Sequence, residues 1–285
     1  MMHIINPTPE HIERFHREHS ILKKISHKYI LNVHHEGEFQ GFPYFVMERL
    51  RGIVLSEKLK EWTKTNPSDR FQQAHSFLIQ ITRALKYIHN QGLVHRDIKL
   101  NNLMVLNDGS IRLMDFGVVQ TPDTELTQLG AMVGTAPYIS PEQIKGSEID
   151  ARSDLYALGI VLYQMLTGKH PFQAKTMASY LNHHLKTIPT PPHQLNKLIP
   201  PKLETVALRL LEKNPEDRFS SARHLLLFLG EKQSNEGAII GRCKELGVLR
   251  KLIMQTSRED AQRLIIRGAS GIGCTILLKE ANRFA

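Results

Sequence analysis

His95-Arg96-Asp97-Ile98-Lys99-Leu100-Asn101-Asn102, with Asp115-Phe116-Gly117 beginning eighteen residues after Asp97, is the stretch from which the rest of this 285-residue chain is read. Moving a phosphoryl group onto a hydroxyl needs a carboxylate to orient and deprotonate the attacking oxygen, and cations to spread the charge that develops on the phosphates. Asp97 suits the first task. Asp115 and Asn102 suit the second, because hard Mg²⁺ takes oxygen ligands and a carboxylate and an amide carbonyl supply them. Lys99, two residues beyond Asp97, adds a compact positive charge at the same place.

The two motifs in register, H-R-D-x-K-x-x-N and D-F-G, resemble those of the eukaryotic-like (Hanks-type) serine/threonine protein kinases of bacteria. The resemblance covers about residues 8 to 230. It implies an α+β, protein-kinase-like fold with a mainly helical C-lobe and a remnant N-lobe. It also implies transfer of the ATP γ-phosphate to Ser or Thr hydroxyls of proteins in signal transduction, with ATP and Mg²⁺ as cofactors. By the same correspondence Asp97 is the base, Lys99 the electrostatic stabiliser, and Asn102 and Asp115 the metal ligands. Met47 matches the gatekeeper and Glu48-Arg49-Leu50 the hinge that meets adenine. Met104 matches the residue under the adenine ring, and Glu18 the ion-pairing glutamate of the mobile N-lobe helix. His95 and Phe116 match members of the stack linking the lobes, together with Leu22 and Val33, and Gly117 completes D-F-G. Gly134-Thr135-Ala136-Pro137-Tyr138-Ile139-Ser140-Pro141-Glu142 is similar to the family's activation-loop ending, with Thr124 and Thr127 at common phosphorylation positions and Arg96 placed to pair with such a phosphate. Thr135 with Lys99 argues for a Ser or Thr acceptor. Asp154 matches the aspartate that holds the catalytic-loop backbone, and Glu142 with Arg218 a buried ion pair.

Composition narrows the class. Apolar residues make up 41% of the chain and charged residues 23%, ordinary for a soluble globular protein. The longest apolar run, Leu155 to Leu166, is too short to cross a bilayer. Met1-Met2-His3-Ile4 lacks the basic and apolar regions of a secretory signal. Two cysteines, Cys243 and Cys274, form no disulfide framework, so a cytoplasmic location is expected. The formal charge is +9, but Lys and Arg are dispersed without a run of five, which argues against nucleic-acid binding. His11, His16 and His19 complete no zinc pattern and read as a solvated helix face.

Local signals give the elements. Thr8-Pro9-Glu10 starts a helix reaching about Ile25. Tyr29 to His35 and Tyr44 to Glu48 read as strands, with Gly37 and Gly41 in the turn between them. Phe71 to Gln91 has apolar residues at helical spacing and ends at Gly92. Leu103 to Leu106 and Ile111 to Met114 form a hairpin about Asn107-Asp108-Gly109. Ala151 to Thr167, stopped by Gly168, is the buried pillar of the large lobe. Pro189 to Pro201 reads as a loop, and Leu203 to Lys213 and Ser220 to Leu229 as the closing helices. The expected domains are a remnant N-lobe (1–52), a C-lobe (53–230), a polar linker (231–238) and a C-terminal region (239–285).

That last region is similar to the opening of an AAA-type ATPase domain, an α/β P-loop-like fragment. Gly268-Ala269-Ser270-Gly271-Ile272-Gly273-Cys274-Thr275 follows the P-loop pattern except that Cys274 stands where the lysine belongs. The resemblance therefore suggests intramolecular ATPase or sensor domains in a longer parent protein. Ahead of Thr8 there is neither a glycine-rich loop nor a V-A-I-K-like strand, and Lys23, Lys24 and Lys28 are the candidates for a relocated lysine. The expectation is a shortened product with weak or absent catalysis, since removing one charge-stabilising donor alone lowers turnover about 10²–10³-fold. The alternatives are a catalytically dead kinase-like interaction module and a regulatory piece of an ATPase-linked signalling protein.

Overall fold

In the computed structural model the described residues are 25–39, 42–62, 66–114, 136–174 and 176–231. The chain divides into two compact units, Met1–Gly230 and Glu231–Ala285. Beyond Glu231 the second unit lies outside the described residues, as do the helix expected before Ile25, the linker and the P-loop-like stretch.

Two helices carry the core. The helix expected from Phe71 to Gln91 is α2, Pro67–His89. It starts a turn earlier because the Asn66 side chain accepts from the Ser68 N–H and Pro67 needs no partner for its missing donor. Its face of Phe71, Ala74, Phe77, Leu78, Ile81, Ala84, Leu85 and Ile88 is buried. Leu85 is fully buried, and truncating such a side chain to Ala costs about 2–5 kcal/mol. The helix stops at His89, and Gly92, at φ 72°, turns the chain back. The pillar, α4, spans Ala151–Thr167, with Asp150 capping the Arg152 N–H and Gly168 left-handed at its end. Of its residues only Ala151, Arg152, Gln164 and Thr167 are not buried. Gly159 lets this helix approach α7, Pro201–Leu210: a Cβ there would stand 2.7 Å from Leu210 Cβ. Helix α8, Ala222–Leu229, capped by Ser221, closes against α2. Both closing helices start and stop within a few residues of their expected limits.

The strands depart further from expectation. β1 is Val33–Phe39 and β2 is Phe42–Met47, paired antiparallel. Gly37 therefore sits inside β1 opposite Tyr44 rather than in the turn, and the Tyr44 ring fills the space where a side chain would stand. A second sheet runs β3-β4-β5, with β3 Gly52–Val54, β4 Leu103–Leu106 and β5 Ile111–Leu113. Three residues of β3 are too few to show an alternation. Helix α1, Leu55–Trp62, and α5, Met177–Lys186, are not anticipated by the sequence pattern, because each is short and buries few of its residues. Pro192–Leu195, inside the expected loop, forms the short helix α6. Helix α3, Pro141–Lys145, begins with a capping box between Ser140 and Gln143 and ends at left-handed Gly146.

Candidate active site

The connection from α2 to β4 carries His95 to Asn102, and its shape is set from below by one carboxylate. Asp154, in the first turn of α4, is 1% exposed and accepts three hydrogen bonds. The N–H groups of His95 and Arg96 donate to Oδ2 and Oδ1, each at 2.8 Å, and His89 Nε2 reaches Oδ2 at 2.8 Å. Burial pushes the Asp154 carboxyl up, but its bond to His89 and the neighbouring His95 outweigh this and hold it below the usual carboxylate range. The grip explains an unfavourable backbone: Arg96 has φ 65°, a left-handed conformation that costs a non-glycine residue about 1–2 kcal/mol. Arg96 itself is a half-buried cation, and desolvation lowers its pKa against the opposing pull of Asp154.

On this bent support three expected site residues come together. Asp97, 8% exposed, receives Lys99 Nζ at 2.7 Å and Asn102 Nδ2 at 2.8 Å, both on Oδ2. Asn102 Nδ2 also donates to the Asp97 carbonyl at 2.9 Å. The amide N–H groups of Asn102 are thus committed to Asp97, and its Oδ1 is the atom suited to a hard cation. The backbone of Met114 is held at both polar groups: its N–H donates to the Asn102 carbonyl at 2.8 Å, and its carbonyl lies 3.3 Å from His95 Nε2. Since a carbonyl only accepts, His95 Nε2 carries a proton. Its Nδ1 accepts from the Asp97 N–H at 3.3 Å. His95 therefore ties the residue before Asp115 to the loop that carries Asp97.

Asp115, Phe116, Gly117, Thr124, Thr127, Thr135, Glu18, Leu22, Lys23 and Lys24 lie outside the described residues. Lys28 is exposed, with its ammonium 5.5 Å from the Tyr29 ring centroid. Among the nucleotide-site candidates, Met47 ends β2 and is exposed, while Glu48 and Leu50 are half-buried in the connection to β3. Met104 lies in β4 between Val54 and Arg112. Asn32 and Glu48 clamp each other: the Glu48 N–H donates to the Asn32 carbonyl at 3.0 Å, and the Asn32 N–H to Glu48 Oε1 at 2.9 Å. Arg112 stands 3.8 Å from the same carboxylate oxygen.

Glu142 and Arg218 form a bidentate pair at 2.8 Å. Every N–H of this guanidinium is used. Nε donates to the Glu212 carbonyl, Nη1 to Glu142 and the Arg152 carbonyl, and Nη2 to Glu142 and the Lys213 carbonyl. Burial raises the Glu142 carboxyl, but Arg218 and the Ser153 hydroxyl at 2.6 Å bring it below the ordinary value. Of the contributors absent from the sequence reading, His89 and Asn32 gave no local signal. A histidine in a last helical turn reads as a dipole complement, and Asn32 acts through its backbone.

Residues 4–227 match the family model described as the protein kinase domain. A probable serine/threonine-protein kinase of Clostridium acetobutylicum is 37% identical over 236 residues, which is 82% of this chain and 35% of that protein. The serine/threonine-protein kinase PknB of Mycobacterium leprae is 36% identical over 223 residues, 76% of this chain and 35% of that protein. A probable serine/threonine-protein kinase of Streptomyces coelicolor is 36% identical over 221 residues, 75% and 32% of the two chains. The chain spans about a third of the length of these relatives.

Proposed function

The chain belongs to the protein kinase family, and from that premise we propose that it is a serine/threonine kinase, moving the γ-phosphate of ATP to Ser or Thr hydroxyls of proteins. The observation that carries this reading is the hydrogen-bonded set Asp97, Lys99 and Asn102 on a loop fixed by Asp154. Asp97 orients the acceptor hydroxyl and takes up its proton, with its carboxylate held in direction by Lys99 and Asn102. Lys99 offsets negative charge at the transferred group. ATP with Mg²⁺, when bound, supplies the phosphoryl group and the cation that spreads its charge. The residues that would hold the cation are Asn102, through Oδ1, and Asp115, two oxygen donors of the kind Mg²⁺ takes. Glu48 to Leu50 would meet adenine. A cytoplasmic location and the protein substrates belong to the same proposal, and no helix among the described residues is long and apolar enough to cross a membrane.

A second reading is an interaction module with slow or no turnover. It is favoured by Asp97 Oδ2 already accepting from both Lys99 Nζ and Asn102 Nδ2, bonds with which an acceptor hydroxyl must compete. One experiment separates the two. The purified chain is given radiolabelled ATP, Mg²⁺ and a generic Ser/Thr acceptor protein, beside Asp97→Asn. Incorporation that falls by about 10²–10⁴-fold in the variant supports the kinase. Equal, background-level signal from both removes it and leaves the module. The proposal for residues 239–285, an ATPase opening with Cys274 in place of lysine, is tested separately by nucleotide titration of the chain before and after Gly273→Asp.

A further inference from the structure

We infer that His170 is a positioning residue for the acceptor side of the proposed kinase site: its imidazole clamps the turn Ala136–Tyr138 and so sets Tyr138 against the catalytic loop. This rests on the kinase reading for its functional consequence, and on geometry for the clamp. His170 follows α4 in the connection to α5, and its Nε2 lies 2.8 Å from the Pro137 carbonyl, which can only accept. The other nitrogen, Nδ1, sits against the Phe172 backbone: in the neutral ring with its proton on Nε2 it accepts from the Phe172 N–H at 3.1 Å, and only the protonated ring also donates to the Phe172 carbonyl at 2.6 Å. The ring is thus held at both ends and bridges two segments 33 residues apart. It also meets the Tyr138 ring edge-on, with centroids 5.9 Å apart and planes at 87°.

Tyr138 transmits the grip. Its hydroxyl donates to Gln164 Oε1 at 2.9 Å and interacts with the backbone of Leu100, inside the loop between Lys99 and Asn102. Its ring packs against both the main core and the smaller cluster of Tyr156, Ile160, Tyr163, Phe172 and Leu211. Burial lowers the pKa of His170 and the flanking carbonyls of Phe172 and Pro137 pull it back; the clamp is the ring with its proton on Nε2, the form that donates to Pro137. The sequence offers no hint of the clamp, because a histidine between Gly168-Lys169 and Pro171 reads as loop.

The test uses the whole chain with His170→Gln, whose amide N–H can replace Nε2, and His170→Asn, whose shorter amide cannot reach Pro137. Two quantities are measured: hydrogen exchange of peptides covering residues 136–145, and KM for an acceptor peptide beside KM for ATP. Loss of a donor to this half-buried carbonyl is expected to speed exchange, and to raise peptide KM, about 10-fold in His170→Asn. ATP KM and exchange in α4 should stay unchanged, and His170→Gln should stay close to wild type. Unchanged exchange at 136–145 in His170→Asn overturns the clamp, and so does a loss in His170→Gln as large as in His170→Asn, which would mark a packing role. If wild type transfers no phosphate while exchange responds as expected, the kinase reading fails and the clamp stands.

Discussion

Asp154→Asn is the sharpest perturbation of the site. The change keeps shape and removes one acceptor. Among the described residues, Oδ2 serves two donors, His95 N–H and His89 Nε2, whereas Oδ1 serves the Arg96 N–H alone. The amide will therefore turn its oxygen toward His95 and His89, and leave its NH₂ facing the Arg96 N–H. A buried donor left unsatisfied costs about 1–3 kcal/mol, and the loss of charge assistance on the remaining bonds adds to it. Arg96 is then free to leave its left-handed conformation, which recovers about 1–2 kcal/mol of strain. The net loss of global stability is accordingly modest, about 0–2 kcal/mol by that difference. The loop, however, loses its shape, and the Asp97 carboxylate loses its direction. Urea unfolding should show the small change, while the Arg96 and Asp97 amides should exchange at least about 10-fold faster, since 1.4 kcal/mol is a factor of ten. Phosphotransfer should fall by far more than stability. An Arg96 amide that exchanges at the wild-type rate would refute the reasoning.

Glu142→Leu leaves the Arg218 guanidinium buried without its counter-charge and should cost about 3–5 kcal/mol in urea unfolding. The double variant with Arg218→Met should cost less than the sum of the single changes, and strict additivity would show that the pair is not coupled. Burial, helped by the charges of His170 and Lys213, pushes the His184 imidazole down to about 3, against about 6.5 in the unfolded chain. Stability is therefore full above about pH 6.5 and declines toward pH 3 as the unfolded state takes up a proton that the folded state refuses, at most about 1.4 kcal/mol per pH unit. Unfolding at pH 5 and pH 7 should show a shallower dependence for His184→Gln than for wild type, and equal slopes would count against it. Gly159→Ala places a Cβ 2.7 Å from Leu210 Cβ and 3.2 Å from its backbone carbon, so it should destabilise by about 1–3 kcal/mol. Leu210→Ala in that background should cost less than in wild type, and an equal cost would place the clash elsewhere.

What could be read from the sequence was whatever a short window contains. The limits of α4 follow from Asp150 as cap, the apolar run and left-handed Gly168, all within nineteen residues. Asp97 and Asn102 are five residues apart, so one motif carries both ends of their hydrogen bond. The start of α2 is written in Asn66-Pro67, a cap and first-turn pair that precedes the apolar pattern by one turn. Gly37 misled for a physical reason: glycine marks turns, but here an aromatic from the paired strand covers it. The supports of the site were out of reach of any window. His89 meets Asp154 across 65 residues and Asn32 meets Glu48 across 16, whereas the Arg218 to Glu142 contact, spanning 76, was legible only through the family resemblance.

The saturated guanidinium of Arg218 bears on how the lobe is made. Glu142 and Arg152 leave the ribosome long before residue 218, so in a growing chain the carboxylate meant for the interior has no cation to meet. Until the Asn214–Phe219 turn arrives, α3 and the first turn of α4 must keep that carboxylate in water, and the lobe cannot seal. Vectorial synthesis at about 5–20 residues per second thus builds in a waiting time of several seconds. Translation stalled short of this arginine should leave a protease-sensitive lobe, and elongation that brings the arginine out of the ribosome should close it.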